Sequence, residues 1–421
     1  MTAPRPLTIF VAHPSPLLTD HQPHGDGLVA YGFIRRLAER GHELHVAAER
    51  VALERTPPRN LHIYDLASGR EQSPHDRLRF MLRMRTLFRR LKRRVAFDLV
   101  HQMNPVVTGL SLALAGESTP LVLGTFVPAW DRDADSVLTP AAPRTGWQTR
   151  LRNGVARMQQ ARAAGLLIAS PQARTRICEP DRLRDRTFVV PHGIDTSLFR
   201  ERQQIPARPS VLFLAGLAPR KGIFTLLEAF DAVTDAVPGA SLVIAGGVDH
   251  ELAAVQRAVA ERSTDAVYVL GAVRPTDVPA LMRAHSLYCL PSYGEPYGMS
   301  VLEAMASGLP VVATKAGGIP DLVCDEGARL VPAREATPLA NALIDVLRSR
   351  ELQERMGRHN RQHVEQHFDV ELAVDSLERA YRTVVATAGR VPAAPSRDSQ
   401  TRGEQGTNLR RVTTDTGSGP C

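Results

Sequence analysis

The chain has 421 residues, 43% of them hydrophobic and 5% aromatic, which favours two globular domains and excludes a chain too polar to build a core. Its formal net charge of +8 is carried almost wholly by arginine, with Lys92, Lys221 and Lys315 the only lysines; such a balance admits sugar phosphates, nucleic acid and anionic membranes alike. Four cysteines, Cys178, Cys289, Cys324 and Cys421, show no CxxC or zinc-like spacing, which argues against a disulfide framework and for a reducing compartment.

The N-terminal MTAPRPLTIFVAHPSP is too short in its apolar run for a signal peptide, and no stretch of about 20 apolar residues follows, so the expected location is cytoplasmic. Leu7 to Ala12 reads as a buried strand, Gly27 to Arg40 as a helix and Leu44 to Ala48 as a second strand. Further strands fit near Leu99, Leu121, Leu166 and Phe188, with helical stretches between them. Short apolar strands alternating with helices imply a parallel sheet covered on both faces. After the polar stretch Arg200 to Pro209 the pattern restarts. Strands are predicted at Val211–Ala215, Ser241–Ala245, Val267–Leu270, Leu287–Leu290 and Val311–Ala313, and a helix at Ile223–Val237 is broken by Pro238-Gly239. The fold class is therefore α/β with two domains in series, residues 1–200 and 201–373. A last helix follows at about 374–388, and a Pro-, Ser-, Gly- and Gln-rich tail, 389–421, reads as disordered.

Open parallel sheets bind ligands at the carboxyl ends of their strands, and with two such sheets the cleft between them is the natural site. The segment Glu295-Pro296-Tyr297-Gly298-Met299-Ser300-Val301 follows one strand and opens a helix. Gly298 permits close ligand approach, the first amides of the helix at Met299, Ser300 and Val301 suit an anion, and Glu295 and Glu303 can accept hydrogen bonds from sugar and ribose hydroxyls. Gly216-Leu217-Ala218-Pro219-Arg220-Lys221-Gly222 also follows a strand, and Arg220 and Lys221 can clamp a diphosphate. Gly246 ends a further strand. In the first half, His13 to Gly27 holds three histidines whose spacing fits no common metal pattern; a loop closing over phosphate or acceptor, with Gly27 starting the helix near the ligand, is the favoured reading. His101 follows a strand and either meets a sugar hydroxyl at the cleft or packs in the core. Residues 77–94 hold nine Arg or Lys and no acid, interleaved with Leu78, Met81, Leu82, Phe88 and Leu91. That helix is either a solvated face packed on the sheet or a contact to anionic lipid.

These motifs resemble the family of retaining glycosyltransferases with two Rossmann-like domains facing across a cleft, the GT-B type, family 4. The resemblance spans about residues 7 to 387, and its most specific element is the Glu295–Glu303 pair, separated by seven residues. It implies a donor that is a nucleotide-diphosphate sugar based on UDP, GDP, ADP or dTDP, with no tightly bound cofactor and no metal. Glu295 would contact the donor sugar, Glu303 the ribose, Lys221 with Arg220 the diphosphate, and Gly246 the region near the base. Pro191-His192-Gly193-Ile194-Asp195 resembles the interdomain segment, and the last helix is expected to cross back onto the first domain. The implied mechanism retains the anomeric configuration, the departing phosphate helping to deprotonate the acceptor. The chain departs from the family in reading Ala215-Gly216 where Gly-Arg is common, His101-Gln102-Met103 in place of His-x-His, and Gly25-Asp26-Gly27 in place of a glycine pair. A branch reading His-Gln-x-Asn-Pro is similar to His101–Pro105. The partners implied are the donor and a small-molecule, lipid or glycan acceptor, with peripheral membrane contact through 77–94 and no nucleic acid. The competing readings are a nucleotide-sugar hydrolase or epimerase and a catalytically silent binding partner; a nicotinamide dehydrogenase is disfavoured because Leu7 to Gly32 lacks a Gly-x-Gly-x-x-Gly turn.

Overall fold

The computed structural model describes residues 5–66, 74–114, 118–128, 146–247, 249–262 and 264–388; the tail 389–421, with Cys421, lies outside the described residues. The first domain runs β1 (Thr8–His13), β2 (Leu18–Thr19), α1 (Gly25–Glu39), β3 (Glu43–Ala48), β4 (Val51–Ala52), β5 (Leu61–Asp65), α2 (Pro74–Lys92), β6 (Leu99–Gln102), β7 (Leu121–Phe126), α3 (Gly146–Arg162), β8 (Gly165–Ile168) and β9 (Thr187–Val189). The second runs β10 (Ser210–Leu214), α4 (Ile223–Ala236), β11 (Ser241–Ala245), α5 (Asp249–Ala260), β12 (Val267–Gly271), α6 (Val278–Arg283), β13 (Leu287–Leu290), α7 (Met299–Ala306), β14 (Val311–Thr314), β15 (Ala328–Val331), α8 (Ala336–Arg348) and α9 (Arg350–His367). A final helix, α10 (Val370–Ala388), follows.

Each domain is built on a parallel sheet. The orders are β5-β3-β1-β6-β7-β8-β9 and β12-β11-β10-β13-β14-β15. Central strands are buried along their whole length because helices cover both faces: every residue of β6, β8, β13 and β14 is buried, including the polar His101, Gln102 and Thr314. The edge strands are different. β5 (LHIYD) buries only Leu61, and β12 alternates half-buried with exposed residues up to a buried Gly271. β5 and β15, and the small β2–β4 pair, add strands that the apolar runs do not announce.

Helix α4 shows the logic of the covering layer. Ile223, Leu226, Leu227, Phe230 and Val233 fall at helical spacing and are all buried, each contributing about 1.5–3 kcal/mol of transfer free energy. Helix α2 anchors Phe80, Met84 and Phe88 against Phe10 and Val100 of the first sheet. Its outward face leaves Leu78 and Leu82 half exposed, among exposed Arg77, Arg79 and Arg83.

Helix α10 packs on the first domain, not the second. Val374, Leu377, Tyr381 and Val384 enter the core formed by Ile9, Val11, Ile34 and Leu37. Ion pairs from α1 and its C-cap secure its outer edge, Arg36 with Glu371 at 2.9 Å and Arg40 with Asp375 at 2.5 Å. The two stretches that pass between the domains touch one another. The Ile194 amide donates to the Phe368 carbonyl at 2.8 Å and the Val370 amide to the Ile194 carbonyl at 2.9 Å.

Candidate active site

In each sheet the strand order reverses beside the first strand, between β1 and β6 and between β10 and β13. Loops leaving such neighbours diverge to opposite faces and open a crevice at the carboxyl ends of the strands. In the second domain the pairing of Val211 with Leu287 and Leu212 with Tyr288 therefore sets loop 215–222, after β10, beside loop 291–298, after β13.

The sequence motifs on these two loops meet. The Lys221 ammonium donates to the Glu295 carboxylate; both side chains are largely buried, at 13% and 9% exposure. Arg220 donates to the Gly294 carbonyl at 3.0 Å, and the Tyr293 amide donates to the Arg220 carbonyl at 2.7 Å. The approach is close enough to require glycine. Gly222 has φ +74°, and a Cβ there would lie 1.9 Å from the Pro291 carbonyl oxygen. A third loop backs Glu295 from behind: the Gly318 amide donates to the Glu295 carbonyl at 2.8 Å. At Gly317, with φ +58°, a Cβ would stand 1.9 Å from that same oxygen. Lys221 and Glu295 are thus fixed by three loops at once.

Gly298, with φ +102°, caps α7, whose eight residues run from Met299. The Met299 and Ser300 amides have no acceptor within the helix, while the Val301 amide already donates to the Gly298 carbonyl at 3.0 Å. Val301 is thereby removed from the expected set of anion donors; its side chain is fully buried in the core. The Ser300 hydroxyl lies 2.7 Å from that of Tyr288, which also bonds the Leu214 carbonyl, so α7 is tied to the end of β10.

Glu303 stands within α7 with no ion pair among the described residues. It is enclosed by protein atoms yet still touches solvent, as a group in a concavity does, and desolvation raises its carboxyl to about 7. A carboxylate in that state is poised to accept hydroxyl hydrogens from a diol. Gly246, with φ +107°, has its amide bound to the Gly271 carbonyl at 2.7 Å and its Cα close to the Ala215 carbonyl. It supports the start of loop 215–222.

The first domain favours one of two open readings and corrects one expectation. His101 is buried and does not face the cleft. Its Nε2 is 3.1 Å from the Gly124 carbonyl, which can only accept, so Nε2 carries the proton and Nδ1 accepts from the Tyr381 hydroxyl at 2.6 Å. Burial lowers this ring to about 4, and its work is to join β6, β7 and α10. Gly27 carries the correction. Its amide donates to the Nδ1 of His24, the N-cap of α1, at 3.1 Å, and a Cβ there would meet the Leu17 carbonyl at 2.2 Å. Tight packing, not an open amide, explains that glycine. The surrounding loop is also less free than expected, because Leu18–Thr19 pairs with Val51–Ala52.

Other residues line the first domain's side of the cleft. Asp26, Asn104, Thr125 and His192 surround one small hollow, with Asn104 donating to Asp26 at 3.0 Å. The Asp26 carboxyl is raised by desolvation and the His192 ring is lowered to about 4 for the same reason. His192 also bridges the domains: its amide donates to the Tyr297 hydroxyl at 3.0 Å, one residue before Gly298. Ser170 donates to Asp321 across the same gap. Only the Gly25-Asp26-Gly27 turn and the Asn104-Pro105 and Pro191-His192 dipeptides signalled these positions in the sequence.

Two family models match the chain, Glycosyltransferase Family 4 over residues 24–198 and Glycosyl transferases group 1 over residues 195–363. The phosphatidyl-myo-inositol mannosyltransferase of Mycolicibacterium smegmatis is 30% identical over 332 residues, covering 75% of this chain and 80% of that protein. The protein of the same name from Mycobacterium leprae is 30% identical over 248 residues, 57% of this chain and 65% of its own. Among solved structures, the sucrose-phosphate synthase of Thermosynechococcus elongatus superposes with a TM-score of 0.72 at 21% identity, over 90% of this chain and 99% of that one, which shows a shared fold. The fold, the paired loops and these matches lead to one conclusion: the chain belongs to the GT-B glycosyltransferases, enzymes that move a sugar from a nucleotide-diphosphate donor to an acceptor.

Proposed function

We propose that the enzyme transfers a hexosyl group with retention of anomeric configuration, from a nucleotide-diphosphate hexose held by the second domain to an acceptor hydroxyl admitted from the first. The observation that carries this reading is the convergence of the Lys221–Glu295 pair with the open start of α7. A diphosphate seated between Lys221, Arg220 and the Met299 and Ser300 amides has its leaving charge neutralised by fixed groups. Glu295 accepts from a hydroxyl of the donor sugar, and Glu303 from the ribose. In the transfer step the bond from the anomeric carbon to the phosphate oxygen breaks while the acceptor oxygen bonds on the same face. The acceptor proton passes to the departing phosphate oxygen, so no protein nucleophile is needed. Incubation with a panel of nucleotide-diphosphate hexoses and NMR of the product test this directly. The expected product has the donor's anomeric configuration; an inverted product, or free sugar alone, overturns it.

The state of Glu303 gives the donor-binding step a pH dependence. Ribose hydroxyls stabilise the carboxylate, so binding displaces a proton from a group that holds it up to about 7. Below that pH the apparent donor Kd rises by up to about tenfold per unit, and above it the Kd is flat. Calorimetry at pH 6 and pH 8 in two buffers of different ionisation enthalpy measures both the shift and the proton released. Glu303→Gln is expected to bind more weakly and to lose the pH dependence; a wild-type Kd that is level across this range rejects the ribose role.

The outer face of α2 supports an acceptor presented on an anionic lipid surface, in keeping with the phosphatidyl-myo-inositol for which the mycobacterial relatives are named. No helix among the described residues is long and apolar enough to cross a membrane, so such contact would be peripheral. Each basic residue near an anionic surface contributes about 1 kcal/mol. Changing Arg85 and Arg90 to Gln together with Leu78 and Leu82 to Asn is expected to weaken co-sedimentation with phosphatidylglycerol vesicles by at least about tenfold. Equal binding by the variant and the wild type rejects this surface.

A further inference from the structure

We infer that the second domain holds a binding site for one soft divalent cation of the zinc class, formed by Cys324, His359 and His363. The three are 35 to 39 positions apart in sequence or one helical turn apart on α9, and the fold brings one ligand atom of each within 4.8 Å of the others. The Cys324 sulfur lies 3.8 Å and 3.9 Å from the two nitrogens of His363. A tetrahedral zinc ion with one thiolate and one imidazole sets those atoms roughly 3.6 Å apart, so a small ring rotation completes the edge.

Three further observations favour an ion here over a chance grouping. The His359 Nε2 is buried and has no hydrogen-bond partner among the described residues, an arrangement that costs free energy unless something supplies one. His359 and His363 stack 14° from parallel with centroids 6.0 Å apart, so both rings already present their edges from one face of α9. Asp325 and Glu326 adjoin Cys324 and add negative charge that favours a cation. Thiolate with two imidazoles is a soft donor set that selects zinc, or cobalt in its place, over magnesium or calcium. The other grouping of this kind among the described residues, Glu43, His45 and His62, is different: the His45 ring already bonds Tyr64 at 3.0 Å and Glu43 at 3.1 Å.

The ion would join loop 316–327 to α9. The start of that loop backs Glu295 through Gly317 and Gly318, its middle reaches Ser170 through Asp321, and Leu322 lies under Gly298. Fixing its far end at Cys324 would therefore stiffen the support of the donor site without touching the donor. Binding releases the thiol proton to solvent as the sulfur–metal bond forms.

The test uses the full chain after chelation, with Co²⁺ as the spectroscopic probe and Zn²⁺ as the competitor. One equivalent of Co²⁺ is expected to give a thiolate-to-cobalt charge-transfer band that Zn²⁺ abolishes. Saturating Zn²⁺ should raise Tm by on the order of 5 °C. Cys324→Ser should remove the band, and both Cys324→Ser and His363→Gln should lower Zn²⁺ affinity at least tenfold and shrink the Tm shift. His62→Gln should change none of the three. Equal metal-free Tm values confirm that the variants fold. Binding without the thiolate band, an affinity unchanged by Cys324→Ser, a loss caused by His62→Gln, or no binding of either ion overturns the site. None of these readouts depends on sugar transfer, so the inference stands or falls apart from the donor assignment.

Discussion

Lys221→Ala is expected to lower kcat/KM by about 10²–10³ while the chain stays folded. Two losses combine. The departing diphosphate loses its nearest compact positive charge, of the kind whose removal typically costs about 3–4 kcal/mol of transition-state stabilisation. Glu295 also loses the ammonium that faces it in a largely buried position, so its carboxylate is left to repel the donor phosphates. Lys221→Arg should recover only part of the loss, because a planar guanidinium is bulkier than the ammonium that faces Glu295 in this largely buried position. Steady-state kinetics beside a thermal scan separate the effects. Turnover near the wild-type rate in Lys221→Ala removes this pair from the donor site.

The second large effect comes from a residue that carries no functional group. Gly317→Ala should cut activity by about a hundredfold, since misplacing a reacting group by about 1 Å is enough for that. The added Cβ has nowhere to go: it would stand 1.9 Å from the Glu295 carbonyl oxygen. Either loop 316–318 retreats, breaking the Gly318 bond to Glu295, or Glu295 itself is pushed toward Lys221. A serine at 317 should do the same, whereas alanine at Gly239, which has open space around it but φ +77°, should cost stability without altering turnover. Equal kcat/KM in wild type and Gly317→Ala would show that Glu295 need not be held in place.

Much of this was legible in the sequence, and the gaps have physical causes. Buried parallel strands such as Leu287–Leu290 declare themselves as unbroken apolar runs, so both sheets and their loops could be placed. Edge strands such as Leu61–Asp65 face solvent, mix polar with apolar residues and leave no such run. In the site, Lys221 and Glu295 stood out because each sits on a glycine-punctuated loop after a strand. His101 looked equivalent, but position after a strand does not fix which way a side chain points. Here Tyr381, 280 positions away, decides it by closing over the ring. Residues such as Thr125 and Ser170 carry no motif, and the grouping of Cys324 with His359 and His363 exists only once loop 316–327 lies on α9.

The double passage between the domains has a mechanical consequence. A single covalent link would leave one body free to swing and twist about the other in any direction. Here the stretches around Ile194 and Phe368–Val370 run side by side and are stitched by two main-chain hydrogen bonds, with Gly193 pressed against Val370. Such a ribbon bends across its width far more easily than within its plane. Twisting of one domain against the other would have to break those two bonds, whereas bending across the ribbon would not. Because α10 is packed into the first domain's core and α9 belongs to the second, the stretch between them is anchored at both ends.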